Sequence, residues 1–274
     1  SVKELVNDIF AKIDHKDSYQ DFGEQFSKDL DIGNYWGSLE MLKDIVYPFN
    51  LNVIKDKIIA EVGIGSGRIL NNLTKFKPKK IYAVEPSKAI KIAKENNIKN
   101  KHKIEYLNIK AEDMALKQKA DYIFSLGVIH HIPKYDVACK QIYNSLSANG
   151  TFIIWVYGFE GNELYIKIFN NVRRISRLLP DKILRMFCYL LNVICSVYIL
   201  LCSFLNLPLK RYMLNVFKKC SFEKRNYIIF DQLNPSFSKY FRKEEVNQTL
   251  KKAGFKKINL YHRYSYSWLA IAKK

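Results

Sequence analysis

The stretch from Lys57 to Leu70, KIIAEVGIGSGRIL, constrains the fold of this chain more than any other. It opens with an apolar run typical of a buried strand, and glycines follow at alternating positions, Gly63, Gly65 and Gly67. From Arg68 onward the apolar residues return to the spacing of a helix. A strand, a glycine turn and a helix bring backbone close to a ligand, because glycine has no Cβ and adopts positive φ. The sequence therefore predicts an α/β domain with a ligand site at this turn.

The spacing of the glycines narrows the class of ligand. The pattern is E-x-G-x-G-x-G, with Arg68 where a dinucleotide fingerprint has glycine, and no Gly-Lys-Ser/Thr follows for a nucleoside triphosphate. Glu61 at the end of the strand would repel a diphosphate but would attract an ammonium group. The helix after the turn offers backbone N–H groups to a carboxylate. An amine and a carboxylate together point to the methionine part of S-adenosylmethionine.

Acidic residues also follow the next two predicted strands. The strand Lys80–Val84 ends in Glu85 and Pro86. A carboxylate about 20 residues after the glycine turn accepts both hydroxyls of a ribose. Glu112 and Asp113 follow the third strand, and we expect this pair to accept from an adenine amine.

A fourth motif completes a family resemblance. The predicted strand Ala120–Ser125 continues into LGVIHHIP, residues 126–133. With EVGIGSG, VEPS, AED and SLGVIHHIP in this order, the chain resembles the class I S-adenosylmethionine-dependent methyltransferases over residues 57–157 and 240–272. The resemblance implies an α/β fold with a doubly wound, mostly parallel seven-stranded sheet, S-adenosylmethionine as cofactor and S-adenosylhomocysteine as product. The expected cofactor-binding residues are Glu61, Gly63, Gly65, Gly67, Glu85, Pro86, Glu112, Asp113, Leu126 and Trp36.

The chain divides into three parts around this core. Residues 1–56 are expected to form a helical segment over the cofactor site, with Phe22–Phe26 and Tyr35–Gly37 as candidate contacts. Residues 57–157 and 239–274 form the expected core. Residues 158–238 are far longer than an ordinary connecting loop and follow the fifth strand, so we expect a helical cap that shapes the substrate site.

The cap contains an uncharged stretch, Met186–Leu209, whose length of 24 residues is enough to span a bilayer. Cys188, Cys195 and Cys202 recur every seven residues and so share one helix face. The sequence leaves open burial within the protein, contact with a second subunit, association with a membrane surface, and a spanning helix. A spanning helix is disfavoured because it would interrupt one compact domain.

Charge and cysteine usage bear on partners and location. The net charge of +19 fits nucleic acid, an anionic substrate or a membrane surface, but the lysines are scattered without a dense basic block, which favours compositional bias. The five cysteines have neither a C-x-x-C pair nor metal-ligand spacing, so no metal is expected, and their odd number indicates reduced thiols in a cytoplasm. No signal peptide is visible, and we expect a bacterial, cytoplasmic enzyme.

The predicted acceptor follows from the loop after the fourth strand. It has no Asn-Pro-Pro-Tyr for adenine N-methylation and no paired-glutamate loop for arginine, but it has His130 and His131, either of which is able to take a proton from a hydroxyl. Glu160 is the third catalytic candidate. The leading expectation is O-methylation of a small polar acceptor such as a sugar, nucleotide-linked sugar or surface-glycan precursor, with no nucleic-acid partner. N-methylation, a membrane-peripheral enzyme acting on a lipid-linked or quinone-like acceptor, and an RNA-binding methyltransferase-like protein are the alternatives.

Overall fold

The computed structural model describes residues 35–97, 99, 103–176, 181–233 and 237–274. The predicted N-terminal helix and the candidate contacts Phe22–Phe26 lie outside the described residues. Of the expected N-terminal segment, the structure describes a short 3₁₀ helix at Tyr35–Gly37, one α-helix and a second 3₁₀ turn at Leu51–Ile54.

The strands of the described residues form one seven-stranded sheet in the order β3-β2-β1-β4-β5-β7-β6. Strand β7 runs antiparallel to both of its neighbours, β5 and β6, and the other neighbouring pairs are parallel. The fold class expected from the sequence is therefore confirmed. The strands are β1 (Ile58–Val62), β2 (Lys80–Val84), β3 (Ile104–Leu107), β4 (Ala120–Leu126), β5 (Leu146–Tyr157), β6 (Lys257–Arg263) and β7 (Ser267–Lys273).

Helices lie between these strands and in one long insertion. Those of the described residues are α1 (Leu39–Val46), α2 (Arg68–Thr74), α3 (Ala89–Asn96), α4 (Tyr135–Ser145), α5 (Glu163–Ser176), α6 (Asp181–Phe204), α7 (Lys210–Asn215), α8 (Phe222–Leu233) and α9 (Lys243–Ala253). The insertion after β5 thus contributes α5 to α8.

The position of β1 fixes the place of the site. It pairs in parallel with β2 on one side and β4 on the other, so the strand order reverses beside it. The carboxyl ends of these strands open at one edge of the sheet, where ligands bind in folds of this type. Two apolar cores cover the faces of the sheet, one around Tyr82 and Phe152 and the other around Phe124 and Ile153. Continuous apolar strands fit this arrangement because both of their faces are buried.

The insertion has a smaller apolar core of its own. One face of α6 packs against α8, where Asn192 Nδ2 donates to the Phe222 carbonyl at 2.7 Å and to Asn226 Oδ1 at 2.8 Å. Cys188 and Cys202 are buried on this face and Cys195 is partly buried, as the seven-residue spacing predicted. Within the described residues, Ile183–Phe204 is the one stretch long and apolar enough to cross a membrane, but part of it belongs to this core.

Local contacts set two element boundaries. Helix α3 begins at Ala89, after a turn in which the Ser87 hydroxyl accepts from the Ala89 amide. Strand β5 begins at Leu146, because Leu146 already pairs with Ala120 of β4 before the pairing continues from Thr151.

Candidate functional site

The turn after β1 needs its glycines for two different reasons. Gly63, Gly65 and Gly67 have φ values of 78°, 52° and 81°, a region that other residues rarely adopt. A Cβ on Gly63 would lie 2.3 Å from Val128 Cγ2, and one on Gly67 would lie 2.6 Å from Asn97 Nδ2. Gly67 therefore serves close packing against α3, whereas Gly63 and Gly65 face a cavity.

This first cavity lies at the carboxyl ends of β1, β2 and β4. It brings together seven of the ten predicted cofactor-binding residues: Trp36, Glu61, Gly63, Gly65, Glu85, Pro86 and Leu126. The lining of this cavity also includes Arg68, Val128, His131, Trp155, Tyr157, Lys224, Tyr227 and Asp231.

One acidic residue of the first cavity, Glu61, has a buried carboxylate oxygen without a hydrogen-bond partner among the described residues. This oxygen is Oε2, and Glu61 is 2% exposed. Burial raises the pKa of Glu61 well above its ordinary value; Arg68 opposes this shift, and Glu85 adds to it. An orphaned carboxylate oxygen in a cavity fits an ammonium group, because a buried charge needs an opposite charge or hydrogen-bond donors. The geometry therefore fits the amine of the predicted cofactor.

Arg68 and Trp36 close one side of the first cavity. The Arg68 guanidinium donates to the Trp36 carbonyl and lies 5.3 Å from the centre of the Trp36 ring. The side chain of Asn72 donates to the Gly37 carbonyl at 2.7 Å. Helix α2 thus holds the 3₁₀ turn that carries Trp36 over the cavity, although Trp36 and Arg68 lie far apart in sequence.

The two histidines after β4 occupy different environments. His130 is fully buried, its ring lies 3.9 Å from that of Tyr157, and neither of its ring nitrogens has a hydrogen-bond partner among the described residues. Burial, with a smaller contribution from His131, holds the pKa of His130 well below its ordinary value. His131 lines the first cavity, and its Nδ1 lies 3.0 Å from the Phe237 carbonyl. Because a carbonyl only accepts, Nδ1 carries the hydrogen, which makes Nε2 the nitrogen able to take a proton.

A second cavity of about 390 Å³ adjoins the first and shares Trp36, Trp155, Tyr157 and Asp231 with it. Its remaining wall is mostly apolar and aromatic, formed by residues such as Phe169, Tyr212 and Ile229 of the insertion.

A hydrogen-bonded group supports this wall. Gln232 Nε2 donates to the Tyr157 hydroxyl at 3.0 Å, while the hydroxyls of Tyr165 and Tyr240 donate to Gln232 Oε1 at 2.9 and 3.0 Å. A volume of this size, apolar walls and a few fixed polar groups are typical of a small-molecule or base-binding pocket.

Helix α8 contributes residues that sequence reasoning missed. Lys224, Tyr227 and Asp231 are spaced three and four positions apart, so they share one helix face, and all three line the first cavity. Lys224 is 6% exposed, which is unusual for a lysine. The helical spacing was visible in the sequence, but nothing local indicated that this face would reach the cofactor side of the sheet.

Three predicted cofactor residues and one predicted catalytic residue lie elsewhere. Gly67 packs against α3, as described above. Glu112 and Asp113 form part of a 3₁₀ turn, Ala111–Asp113, and do not line either cavity. It is the neighbours Ala111 and Met114 that turn inward into the core.

Glu160, the third catalytic candidate, was expected to orient the pocket histidine or to serve as the base itself, but the structure holds its carboxylate in other contacts. Its carboxylate accepts from the Lys243 amide at 3.0 Å and from Trp268 Nε1 at 2.8 Å, and it does not line either cavity. Burial works against ionisation here, but these hydrogen bonds outweigh it and hold the pKa of Glu160 below its ordinary value. The chain turns at Gly158–Gly161 toward β7, which carries the carboxylate away from the histidines. Among the described residues no cluster of His, Cys, Asp and Glu is arranged to hold a metal ion.

The strand order, the glycine turn and the acidic residues after β1 and β2 define the architecture of the class I S-adenosylmethionine-dependent methyltransferases, and the core of this chain is a methyltransferase domain of that class. A family model described as a methyltransferase domain matches residues 60–154. S-adenosylmethionine is the cofactor, and the first cavity is where its predicted partners meet.

Solved structures agree at the level of the fold. Magnesium protoporphyrin IX methyltransferase of Synechocystis superposes with a TM-score of 0.53 at 12% identity, covering 93% of each chain. Human N-acetylserotonin methyltransferase gives a TM-score of 0.50 at 13% identity, covering 85% of this chain and 51% of that one.

Curated relatives give information about the acceptor. The chain is 31% identical over 110 residues to tRNA U34 carboxymethyltransferase of Helicobacter pylori, which is 38% of this chain and 42% of the relative. It is 29% identical over 148 residues to the enzyme of that name from Aliarcobacter butzleri, or 49% of this chain and 44% of the relative. The chain thus spans less than half the length of these relatives.

These relatives overturn two expectations from the sequence. They are named for tRNA modification, so the expected sugar or glycan-precursor acceptor and the expected absence of a nucleic-acid partner were wrong. The scattered lysines had been attributed to compositional bias because no dense basic block appears. Phosphate binding depends on where charges lie in space, which their order along the chain does not reveal.

Proposed function

We propose that this chain is an RNA-modifying enzyme that uses S-adenosylmethionine and acts on a tRNA nucleoside. The observation that carries the proposal is the name shared by the curated relatives, tRNA U34 carboxymethyltransferase, with 29% to 31% identity over 110 to 148 residues. The charge supports it, since 45 Lys and Arg against 26 Asp and Glu favour a polyanionic partner.

The second cavity is the proposed acceptor pocket. Its aromatic wall suits a nucleobase turned out of its strand, because bases stack on tyrosine and phenylalanine rings. In this proposal residues 158–238, with α5 to α8, act as the cap over the site. The insertion supplies Tyr165, Phe169 and Gln232 to the pocket, while the core supplies Tyr157 at the end of β5.

The residues that line the two cavities have separate proposed roles in the transfer reaction. Glu61 pairs with the ammonium group of the cofactor, and Glu85 accepts from its ribose. When bound, the cofactor supplies an electrophilic carbon on a sulfonium, so the protein mainly aligns the two reactants. His131, which lines the first cavity, would take the proton from the acceptor through Nε2, and the Asp231 carboxylate, which lines both cavities, is the second candidate base.

Label transfer to RNA tests the proposal. The full-length protein is incubated with methyl-labelled S-adenosylmethionine and bacterial tRNA, followed by nucleoside mass spectrometry. We expect label in tRNA, lost after ribonuclease treatment and absent with Gly65→Val. Label that appears in a small-molecule extract but never in tRNA would reject RNA as the acceptor.

A further inference from the structure

Helix α6 presents an apolar face to solvent. Met186, Leu190, Val193, Val197, Leu200 and Phe204 are between 43% and 79% exposed, and they recur at intervals of three or four positions. Neighbouring exposed residues, among them Ile194 and Leu201, widen this stripe beyond a single line of side chains. We call it the α6 apolar face. Exposed patches of this kind mark interaction sites, because leaving so much apolar surface in water is unfavourable.

The opposite side of α6 packs against the rest of the insertion. Leu184, Cys188, Ile199 and Cys202 are buried in the core of the insertion, and Asn192 is hydrogen-bonded to α8. A spanning orientation would require this side to leave the protein and would bring Asn192 into lipid without its partners. The helix therefore uses its apolar face while remaining packed on α8.

The charged residues near the α6 apolar face indicate the class of partner that it binds. Residues 183–221 contain Arg185, Lys210, Arg211, Lys218 and Lys219 but no aspartate or glutamate. Lys219 pairs with Glu40, whereas Arg185, Arg211 and Lys218 are exposed at the two ends of the segment. Basic groups beside an apolar helix face are the arrangement that binds an anionic lipid surface.

We propose that the α6 apolar face docks the protein on an anionic membrane surface, with α6 lying in the plane of the interface. A second copy of the chain fits less well, because paired helices normally flank an apolar seam with charges of both signs, and here Met186–Leu209 has none. Two copies with a charge of +19 each also repel. RNA phosphates would use the basic groups but would leave the aliphatic side chains uncovered. The inference does not depend on which acceptor is modified.

Vesicle flotation of the full-length protein tests the proposal. Vesicles of phosphatidylcholine with roughly one third phosphatidylglycerol carry the negative surface potential that attracts basic groups. We expect the protein to float with them, to bind neutral phosphatidylcholine vesicles at least tenfold more weakly, and to be released from the anionic vesicles by salt. The double variant Leu190→Gln/Val197→Gln should lose at least tenfold in partitioning while keeping its cofactor affinity and melting temperature.

A matched variant separates this face from exposed apolar residues in general. Val53 and Val137 are 41% and 45% exposed but lie outside the insertion, so Val53→Gln/Val137→Gln should bind vesicles like the wild type. Light scattering without lipid is measured in parallel. The proposal is overturned if the wild type does not float, if neutral vesicles bind equally well, or if the two variants lose binding equally. A wild-type dimer that Leu190→Gln/Val197→Gln converts to monomer would show that a second copy covers the face instead.

Discussion

The backbone N–H of Gly65 donates to Oε2 of Glu85 at 2.9 Å, which joins the turn after β1 to the end of β2 across 20 positions of sequence. Oε1 of the same carboxylate accepts from the Ser87 amide at 3.1 Å. Backbone donors therefore orient both oxygens of Glu85 before a ligand arrives. A preorganised acceptor of this kind lowers the cost of ordering the site when the cofactor binds.

Gly65→Val should abolish measurable cofactor binding. Valine at the φ of 52° found here costs about 1–3 kcal/mol of strain, and its side chain would enter the first cavity. Calorimetric titration with S-adenosylmethionine measures the effect. Gly254→Val is the control: it imposes positive-φ strain at the end of α9, away from both cavities. That variant should be less stable yet bind normally when folded, and unchanged affinity in folded Gly65→Val would remove the turn from the site.

Glu61→Gln should weaken cofactor binding by roughly tenfold to a hundredfold, since a hydrogen bond to a charged group contributes about 1.5–3 kcal/mol. The pKa of Glu61 is raised by burial, so binding of an ammonium group should drive a proton off this carboxyl, and affinity should rise with pH. Calorimetry in buffers of different ionisation enthalpy measures that release. The glutamine variant should release no proton from this position, while Glu105→Gln, on the outer part of β3, should behave like wild type. Equal proton release by Glu61→Gln and wild type would contradict the assignment.

His131→Ala should reduce turnover on the acceptor by about 10²–10⁴-fold, the range typical of general base catalysis. Its effect on cofactor affinity should be small, because the charged contacts proposed for the cofactor are at Glu61 and Glu85. Steady-state rates of acceptor modification measure the change in turnover, and calorimetric titration measures the cofactor affinity. Asp231→Asn is measured alongside it. If His131→Ala retains full activity and Asp231→Asn loses it, the carboxylate rather than the histidine takes the proton.

His130→Phe should make the protein less sensitive to acid. The pKa of His130 is held well below the ordinary value of 6.5 by burial, so below that pH the unfolded chain takes up a proton that the folded protein does not. Stability should therefore fall as the pH drops below about 6.5, by up to about 1.4 kcal/mol per pH unit from this group. Phenylalanine keeps the contact with Tyr157 and removes nitrogens without hydrogen-bond partners in the described chain. Melting curves at about pH 7.5 and about pH 5.5 should show a smaller loss for the variant, and an identical loss would contradict the prediction.

The sequence predicted the parts of the site that depend on local chain geometry. Gly63, Gly65 and Glu85 follow their strands directly, so the carboxyl ends of neighbouring parallel strands brought them into one cavity. His130 and His131 lie in the 3₁₀ turn Ile129–His131, and the ring of His130 is buried in the protein whereas His131 lines the cavity. The roles assigned to these residues stay predictions.

The site features that the sequence did not predict depend on how segments far apart in sequence pack together in the fold. Glu160 lies three positions after the end of β5, but hydrogen bonds from Trp268 and the Lys243 amide hold its carboxylate away from the histidines. Lys224 and Asp231 reach the first cavity only because the insertion folds back over the sheet. The expectation of a sugar acceptor rested on the loop after β4, whereas the second cavity is lined by residues from segments far apart in sequence.

Because the two cavities share part of their wall, we expect the affinity of each cavity for its ligand to depend on whether the other ligand is bound. Trp36, Trp155 and Tyr157 line both cavities, so a cofactor that orders these rings also orders part of the surface proposed to receive the acceptor. Each ligand must then change the affinity of the other by the same factor. A donor and a spent product that order these rings to different extents would therefore bind with different affinities once the acceptor is present.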